Sequence, residues 1–310
     1  MENKIQALTD KITELNAQIG ALQNENNRTI AELQARQKEW KITEAEYIRM
    51  QNYLVDELTN RKKIPCSMIE NKNEVAIIII TYNQSQLIKK QVELIRRFCK
   101  DAADIIIVDN STDTDVIAAI QYYNNTSLNC KYYKTYATSK NGSDSHSFAA
   151  NVSYFKFKDD YRYLFFIDHD NFPTRDFSIK EILKDKVMAG LGQQPKDTMY
   201  MWAGCVMFDL FGIEPELIDF STNHDLQIDT GGMLYKIIDK YGEKCVFFNE
   251  IHVQNPNFNK SFYNFFAEIN NGMFMHFING SGWNSSEGNE ERINSLLNIL
   301  EEKITKDVQA

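Results

Sequence analysis

Residues 74–83 read EVAIIIITYN, and the fold turns on them. Six apolar residues follow one another from Val75 to Ile80, and the run breaks off at Thr81-Tyr82-Asn83. A strand with one wet face alternates apolar and polar; an unbroken run belongs to a parallel strand covered on both faces. It is far short of the ~18 residues a membrane span needs. Working outward, QSQLIKKQVELIRRFC (84–99) has helical spacing at Leu87, Val92, Leu94 and Ile95. ADIIIVDNSTD (103–113) is a second buried strand with a polar end, DVIAAIQYYNN (115–125) a helix, and CKYYKTYA (130–137) a third strand. SHSFAANVSYFKF (145–157) reads as a helix and YRYLFFIDHD (161–170) as a fourth strand. The β-α-β-α-β-α-β order predicts an α/β sandwich with a mainly parallel sheet. In such sheets ligands sit beyond the carboxyl ends of the strands. Three of those ends are polar: Thr81-Tyr82-Asn83, Asp109-Asn110-Ser111 and Asp168-His169-Asp170. Topology alone predicts that they converge.

The stretch upstream is of another kind. Residues 1–63 contain no Pro, and Ile5, Leu8, Ile12, Leu15, Ile19 and Leu22 put Ile at a and Leu at d of successive heptads. That combination predicts a parallel two-stranded coiled coil, with Asn26 as a polar a residue that fixes register. Later d positions, Thr29, Arg36, Thr43, Met50 and Glu57, degrade the seam. Pro65 disfavours helix at Ile64 and closes the segment. The expected organisation is an oligomerisation helix over 1–63 and a globular body over 64–310.

The formal net charge is −9. Residues 1–63 hold as many basic as acidic side chains, so the excess falls on the body. This argues against a nucleic-acid partner. Five cysteines, Cys66, Cys99, Cys130, Cys205 and Cys245, are odd in number and lack metal-ligand spacing. They predict reduced thiols and a cytoplasmic protein. No signal peptide opens the chain.

AIIIITYNQSQLIKKQVELI, DIIIVDNSTD and FFIDHDNFP, in this order and spacing over about 74–175, resemble the opening of the family 2 glycosyltransferases and the D-x-D signature of their GT-A fold. The resemblance implies inverting transfer of a sugar from a nucleotide-sugar donor, a UDP-sugar foremost, to a hydroxyl of a glycan or lipid-linked acceptor. It implies a place in surface polysaccharide or glycoconjugate synthesis, in the cytoplasm or at the inner face of the membrane. The nucleotide-binding half would be about 74–175 and the acceptor half about 176–285. By the family's pattern Asp170 ligates Mn²⁺ or Mg²⁺, and Asp168 contacts the ribose or the metal. Thr81, Tyr82, Asn83 and Ser111 line the nucleoside pocket, Asp109 faces the base, and Asn141 and Asn151 match a segment before the D-x-D strand. The physics agrees: a divalent cation takes hard oxygen ligands and can bridge carboxylate and phosphate.

A third metal ligand is expected from a later His. His276, in GMFMHFINGSGW, is placed in a strand near the end of the body; His169, between the two Asp residues, is expected to point away. Inverting transfer also needs a general base beyond the donor sugar. Asp229 in HDLQIDTGGMLYKII is the first candidate, with Asp225 and Glu214 as rivals and a helix N-cap as its alternative role. Trp202 and Gly204 are placed beside the donor sugar, and the loop around Trp283 over bound donor. The tail predicts a helix over about 288–306, with Ile293, Leu296, Leu297, Leu300 and Ile304 on one face. Two other readings remain: a sugar nucleotidyltransferase, which TYNQSQLIKK lacks the glycines to support, and a degenerate transferase domain serving as a scaffold.

Overall fold

The computed structural model describes Lys11, Gln18 and residues 74–135, 142–223, 225–254, 265–278 and 289–309. The chain divides into two compact units, Met1–Glu57 and Leu58–Ala310. In the first, Lys11 and Gln18 are helical and exposed. The heptads expected over 1–63 otherwise lie outside the described residues.

The second unit is built on strands β1 (Val75–Thr81), β2 (Ala103–Asp109), β3 (Lys131–Lys134) and β4 (Tyr163–Asp168). Helices α1 (Ser85–Phe98), α2 (Thr114–Tyr123) and α3 (Gly142–Phe157) connect them. The chain continues through β5 (Asn171–Pro173), a short α4 (Ile179–Ile182), β6 (Met188–Gln193), β7 (Tyr200–Asp209), α5 (Tyr235–Tyr241) and β8 (Cys245–Phe248). It ends with β9 (Glu250–Gln254), β10 (Phe265–Ile269), β11 (Phe274–His276) and α6 (Asn289–Gln309).

The main sheet has the order β3-β2-β1-β4-β7-β6-β8. Strands β3, β2, β1 and β4 run parallel, as does the β6–β8 pair. Strand β7 is antiparallel to both β4 and β6. The sheet is therefore mixed and mostly parallel. The reversal arises because β6 and β7 follow one another directly, and neighbours joined by a short loop pair antiparallel without a crossover helix.

Strand β1 shows why its sequence is apolar throughout. Val75, Ile77 and Ile79 pack on one face with Leu87, Ile88, Val92, Leu94 and Ile95 of α1. Ala76, Ile78 and Ile80 pack on the other with Tyr154 of α3, Phe166 and Phe208. At the start of α2, Asp113 caps the helix by accepting the Asp115 and Val116 N–H groups. Ile293, Leu296, Leu300 and Ile304 of α6 are buried in the α1-side core. Lys90 pairs with Glu301, and Lys303 with Glu268 at 2.7 Å, so α6 is tied to α1 and to β10. Among the described residues no helix is long and apolar enough to cross a membrane.

Two features position a site. The chain leaves β1 to build β2 and β3 on one side, then returns to place β4 on the other, so a topological switch point lies between β1 and β4. Crevices for ligands open there. Immediately after β4 the chain starts a second, antiparallel sheet of order β5-β11-β10-β9. Residues 168–170 thus join the two sheets.

Candidate functional site at the switch point

Register sets the predicted residues side by side. Thr81 pairs with Asp109 and Ile80 with Asp168, so the polar ends of β2, β1 and β4 lie at one level. They form two groups.

The first group joins β1 to β2. Asn83 adopts a left-handed conformation with φ 50°, which Asn tolerates better than most residues. Its side-chain oxygen accepts the N–H groups of Thr112 and Asp113 at 2.9 and 3.0 Å, and its own N–H donates to the Ser111 hydroxyl at 2.8 Å. Asp109 is fully buried. One of its oxygens accepts the Ser111 N–H at 2.9 Å, the other the Tyr132 hydroxyl at 2.7 Å. Asp109 therefore holds the Ser111 turn in place, with both oxygens already engaged. Tyr82 is half-buried in the same loop.

The second group surrounds the Asp168-His169-Asp170 turn. Gln91, fully buried in α1, donates its side-chain amide to the carbonyls of Asp168 and Asn171, each at 2.6 Å. Asn171 in turn donates to the Gly204 carbonyl on β7 at 3.2 Å. Strand β5 pairs with β11 so that Asn171 stands opposite His276, and Phe277 N–H donates to the Asp170 carbonyl at 2.8 Å. That pairing is why a residue so distant in sequence reaches the turn: His276 Nε2 lies 3.7 Å from Asp170 Oδ1. The Trp202 ring covers His276, with centroids 4.6 Å apart. A Cβ on Gly204 would meet the Trp202 ring at 2.2 Å, so only glycine lets the ring fold there. Trp202 thus buttresses the imidazole, a role its sequence did not suggest.

His146, which sequence reasoning passed over, faces this turn from α3. Its Nε2 lies 2.8 Å from Asp168 Oδ1. The distance is that of a hydrogen bond but the alignment is not, and both atoms are buried without a hydrogen-bond partner. Thr81 Oγ1, His169 Nε2 and His276 Nδ1 are likewise buried without one. His169 Nδ1 lies 3.3 Å from the Ile80 carbonyl, so the ring turns back along β1 as expected.

Charge is divided unevenly here. Burial opposes ionisation of Asp168, but His146, His169 and His276 outweigh it and hold its carboxyl below the usual range. Burial also opposes the charged form of His146, yet Asp168, Asp229 and Asp170 together raise its pKa above the ordinary value. For His276 burial prevails and pushes the pKa down to about 4. At neutral pH that ring is uncharged, so its approach to Asp170 is no ion pair, and neutral imidazole is the metal-binding form.

Asp229 is exposed, in the loop before α5. It is close enough for its charge to act on His146. Its Oδ1 accepts the Thr230 N–H at 2.7 Å, and the helix starts beyond an intervening turn at Gly232–Leu234, so Asp229 does not cap it. Asn151 is not gathered into either group. It is buried in α3, accepting the Phe220 N–H at 3.0 Å and donating to the Ser221 hydroxyl at 3.4 Å. Asn141, His224 and the loop around Trp283 lie outside the described residues.

The donor chemistry around 168–170 suits a hard or borderline divalent cation: two carboxylates and a neutral imidazole. Among the described residues no three His, Cys, Asp or Glu side chains already converge to hold one. The donors stand instead as two carboxylate–imidazole pairs.

No protein-family model and no curated protein matches the chain. Among solved structures it is similar to a mannosyltransferase from Pyrobaculum calidifontis in complex with GDP-Man and Mn²⁺, at 13% identity and TM-score 0.40, covering 67% of this chain and 64% of that one. It is also similar to the bifunctional glycosyltransferase WbbM, at 12% identity and TM-score 0.35, covering 61% and 40%. In both cases the chain spans less than two thirds of the protein it matches.

Proposed function

We propose that the chain transfers a glycosyl group, with inversion, from a nucleotide-sugar donor to an acceptor hydroxyl, using Mn²⁺ or Mg²⁺. The observation that carries this reading is the approach of His276 Nε2 to Asp170 Oδ1, 3.7 Å apart, next to Asp168 at the carboxyl edge of the β1–β4 switch point. Asp168, Asp170 and His276 would hold the cation, which would neutralise the charge of the diphosphate leaving group.

The other groups take their roles from their positions. Thr81, Tyr82, Asn83 and Ser111 form the wall along which the nucleoside lies, and Asp109 fixes that wall through Ser111 and Tyr132. Gln91 and Asn171 keep the 168–170 turn from shifting as the donor binds. Asp229, exposed on the His146 side, takes the proton of the acceptor hydroxyl as its oxygen bonds to the anomeric carbon and the bond to the diphosphate breaks. Trp202 holds the His276 ring in one orientation. The acceptor is a glycan or a lipid-linked sugar, and residues 1–63 join two copies through their heptads.

The test is binding of a panel of nucleotide sugars and free nucleotides, by calorimetry and thermal shift, with Mn²⁺ and with EDTA. A ligand at 100-fold its Kd stabilises the fold by about 2.7 kcal/mol. One nucleotide class binding only with metal, and failing with Asp170→Ala, is the expected result. No stabilisation by any nucleotide, with or without Mn²⁺, would sink the proposal.

A further inference from the structure

We propose that His146 is itself a ligand of the cation bound at residues 168–170, making a site of two carboxylates and two imidazoles. The inference rests on the metal-dependent reading above and deepens it.

Three observations converge on His146. The first is separation. Two donors occupying adjacent positions on an octahedral cation, each at ~2.1 Å, stand about 3.0 Å apart. His146 Nε2 and Asp168 Oδ1 stand 2.8 Å apart without the alignment of a hydrogen bond. That geometry serves two atoms that share a third partner better than it serves each as the other's partner. Across the turn, His276 Nε2 and Asp170 Oδ1 are 3.7 Å apart; no three of the four side chains converge before the ion is bound, so the two pairs draw together around it.

The second is fixation. Each of its neighbours in the segment Ser143–Ser147 is bound to another element. The Ser143 carbonyl accepts the Thr230 hydroxyl at 2.9 Å, and Asp144 accepts the Thr222 hydroxyl at 2.7 Å. Ser145 accepts the Asn110 amide through its carbonyl at 3.3 Å and its hydroxyl at 3.0 Å. Ser147 donates to Thr230 at 3.3 Å. The first turn of α3 is thereby anchored to the β2 end and to the Asp229 loop, and His146 is held against Asp168. A ligand held in advance loses little freedom on binding, which is what a metal site requires of its support.

The third is the inventory of ligand types. Carboxylate suits Mg²⁺ and Mn²⁺ alike, whereas imidazole suits transition metals and adds little for Mg²⁺. A second imidazole therefore moves the site's preference from Mg²⁺ toward Mn²⁺ and Co²⁺.

The alternative is that His146 is a cation that merely pairs with Asp168, and the two accounts differ in sign. A cationic partner competes with the metal, so its removal strengthens metal binding; a ligand supports it, so its removal weakens binding. Mn²⁺ affinity of the full chain is measured by calorimetry for the wild type, His146→Ala and His276→Ala. In parallel, pulsed EPR of the Mn²⁺-loaded wild type reports the nitrogens bound to the metal without depending on any variant's folding. The expected result is two imidazole nitrogens in the wild type, one in each variant, Mn²⁺ Kd raised at least about tenfold in His146→Ala, and a narrower gap between Mn²⁺ and Mg²⁺. A single nitrogen in the wild type, or unchanged or tighter Mn²⁺ binding in His146→Ala, overturns this inference and leaves the proposed function standing. No Mn²⁺ binding by the wild type, with or without a nucleoside diphosphate, overturns both.

Discussion

Replacing Gln91 by Met removes the amide that clasps the 168–170 turn while keeping the length of the side chain. Two hydrogen bonds of 2.6 Å, to the Asp168 and Asn171 carbonyls, are lost in a fully buried position. Each contributes about 1 kcal/mol net, and carbonyls left buried without their donor add about 1–3 kcal/mol between them. One gain offsets this. The Gln91 side-chain oxygen is itself buried without a hydrogen-bond partner, and Met relieves that burden, returning about 1 kcal/mol. The balance is a loss of about 2–4 kcal/mol. At about 2–4 °C per kcal/mol for a body of this size, Tm should fall by about 4–16 °C. Scanning calorimetry reads the shift, and Mn²⁺ titration of the same variant reads the turn. A Tm within about 1 °C of wild type would refute the view that the clasp stabilises the fold. A lowered Tm with unchanged Mn²⁺ affinity would refute the view that it positions the carboxylates.

Other outcomes are expected. Asp229→Asn should lower turnover by on the order of 10²–10⁴ with donor affinity retained; normal turnover would remove Asp229 from the base role. Gly204→Ala should drive the Trp202 ring off His276, since the new Cβ would stand 2.2 Å from it. A loss of about 1–3 kcal/mol in denaturant unfolding is expected, together with a changed tryptophan emission, and an unaltered emission would show that the ring has room. Burial pushes the Cys205 thiol up to about 12 and those of Cys99, Cys130 and Cys245 up to about 11. Because the thiolate is the reactive form, these groups stay protonated at pH 8, and in a Cys66→Ser chain a thiol reagent should label them slowly until denaturant is added. Fast labelling of several thiols in the folded chain would contradict that burial.

The strands and the convergence of their ends were legible because both depend on local pattern and topology. An apolar run covered on both faces, repeated at β1, β2 and β4, leaves few arrangements, and the switch point follows. The antiparallel insertion of β7 was not legible, since nothing in YMWAGCVMFD records which neighbour it will meet. The strand that carries His276 was legible from its apolar context, and its meeting with Asp170 is explained by the β5–β11 register. His146 was missed for a physical reason. It lies in a run of Gly, Ser and Asn that reads as an ordinary helix start, and its meeting with Asp168 comes from four separate tethers to β2 and to residues 222–230. The sequence places Asn151 in the nucleotide segment, whereas its amide is engaged by the Phe220 N–H and the Ser221 hydroxyl, partners that no local pattern announces.

The pairing of β5 with β11 also has a consequence for the order in which the protein becomes competent during synthesis. When the ribosome has released β4, the emerging chain already carries both carboxylates and the His146 ring, yet the strand that brings His276 is about a hundred residues away in sequence. Contacts of such separation form late. The tethers that fix α3 wait on residues 222–230, and the face that α6 covers waits on Ile293 to Ile304. A nascent or truncated chain therefore lacks part of this arrangement, and residues 146, 168–170 and 276 come together only when nearly the whole polypeptide has folded.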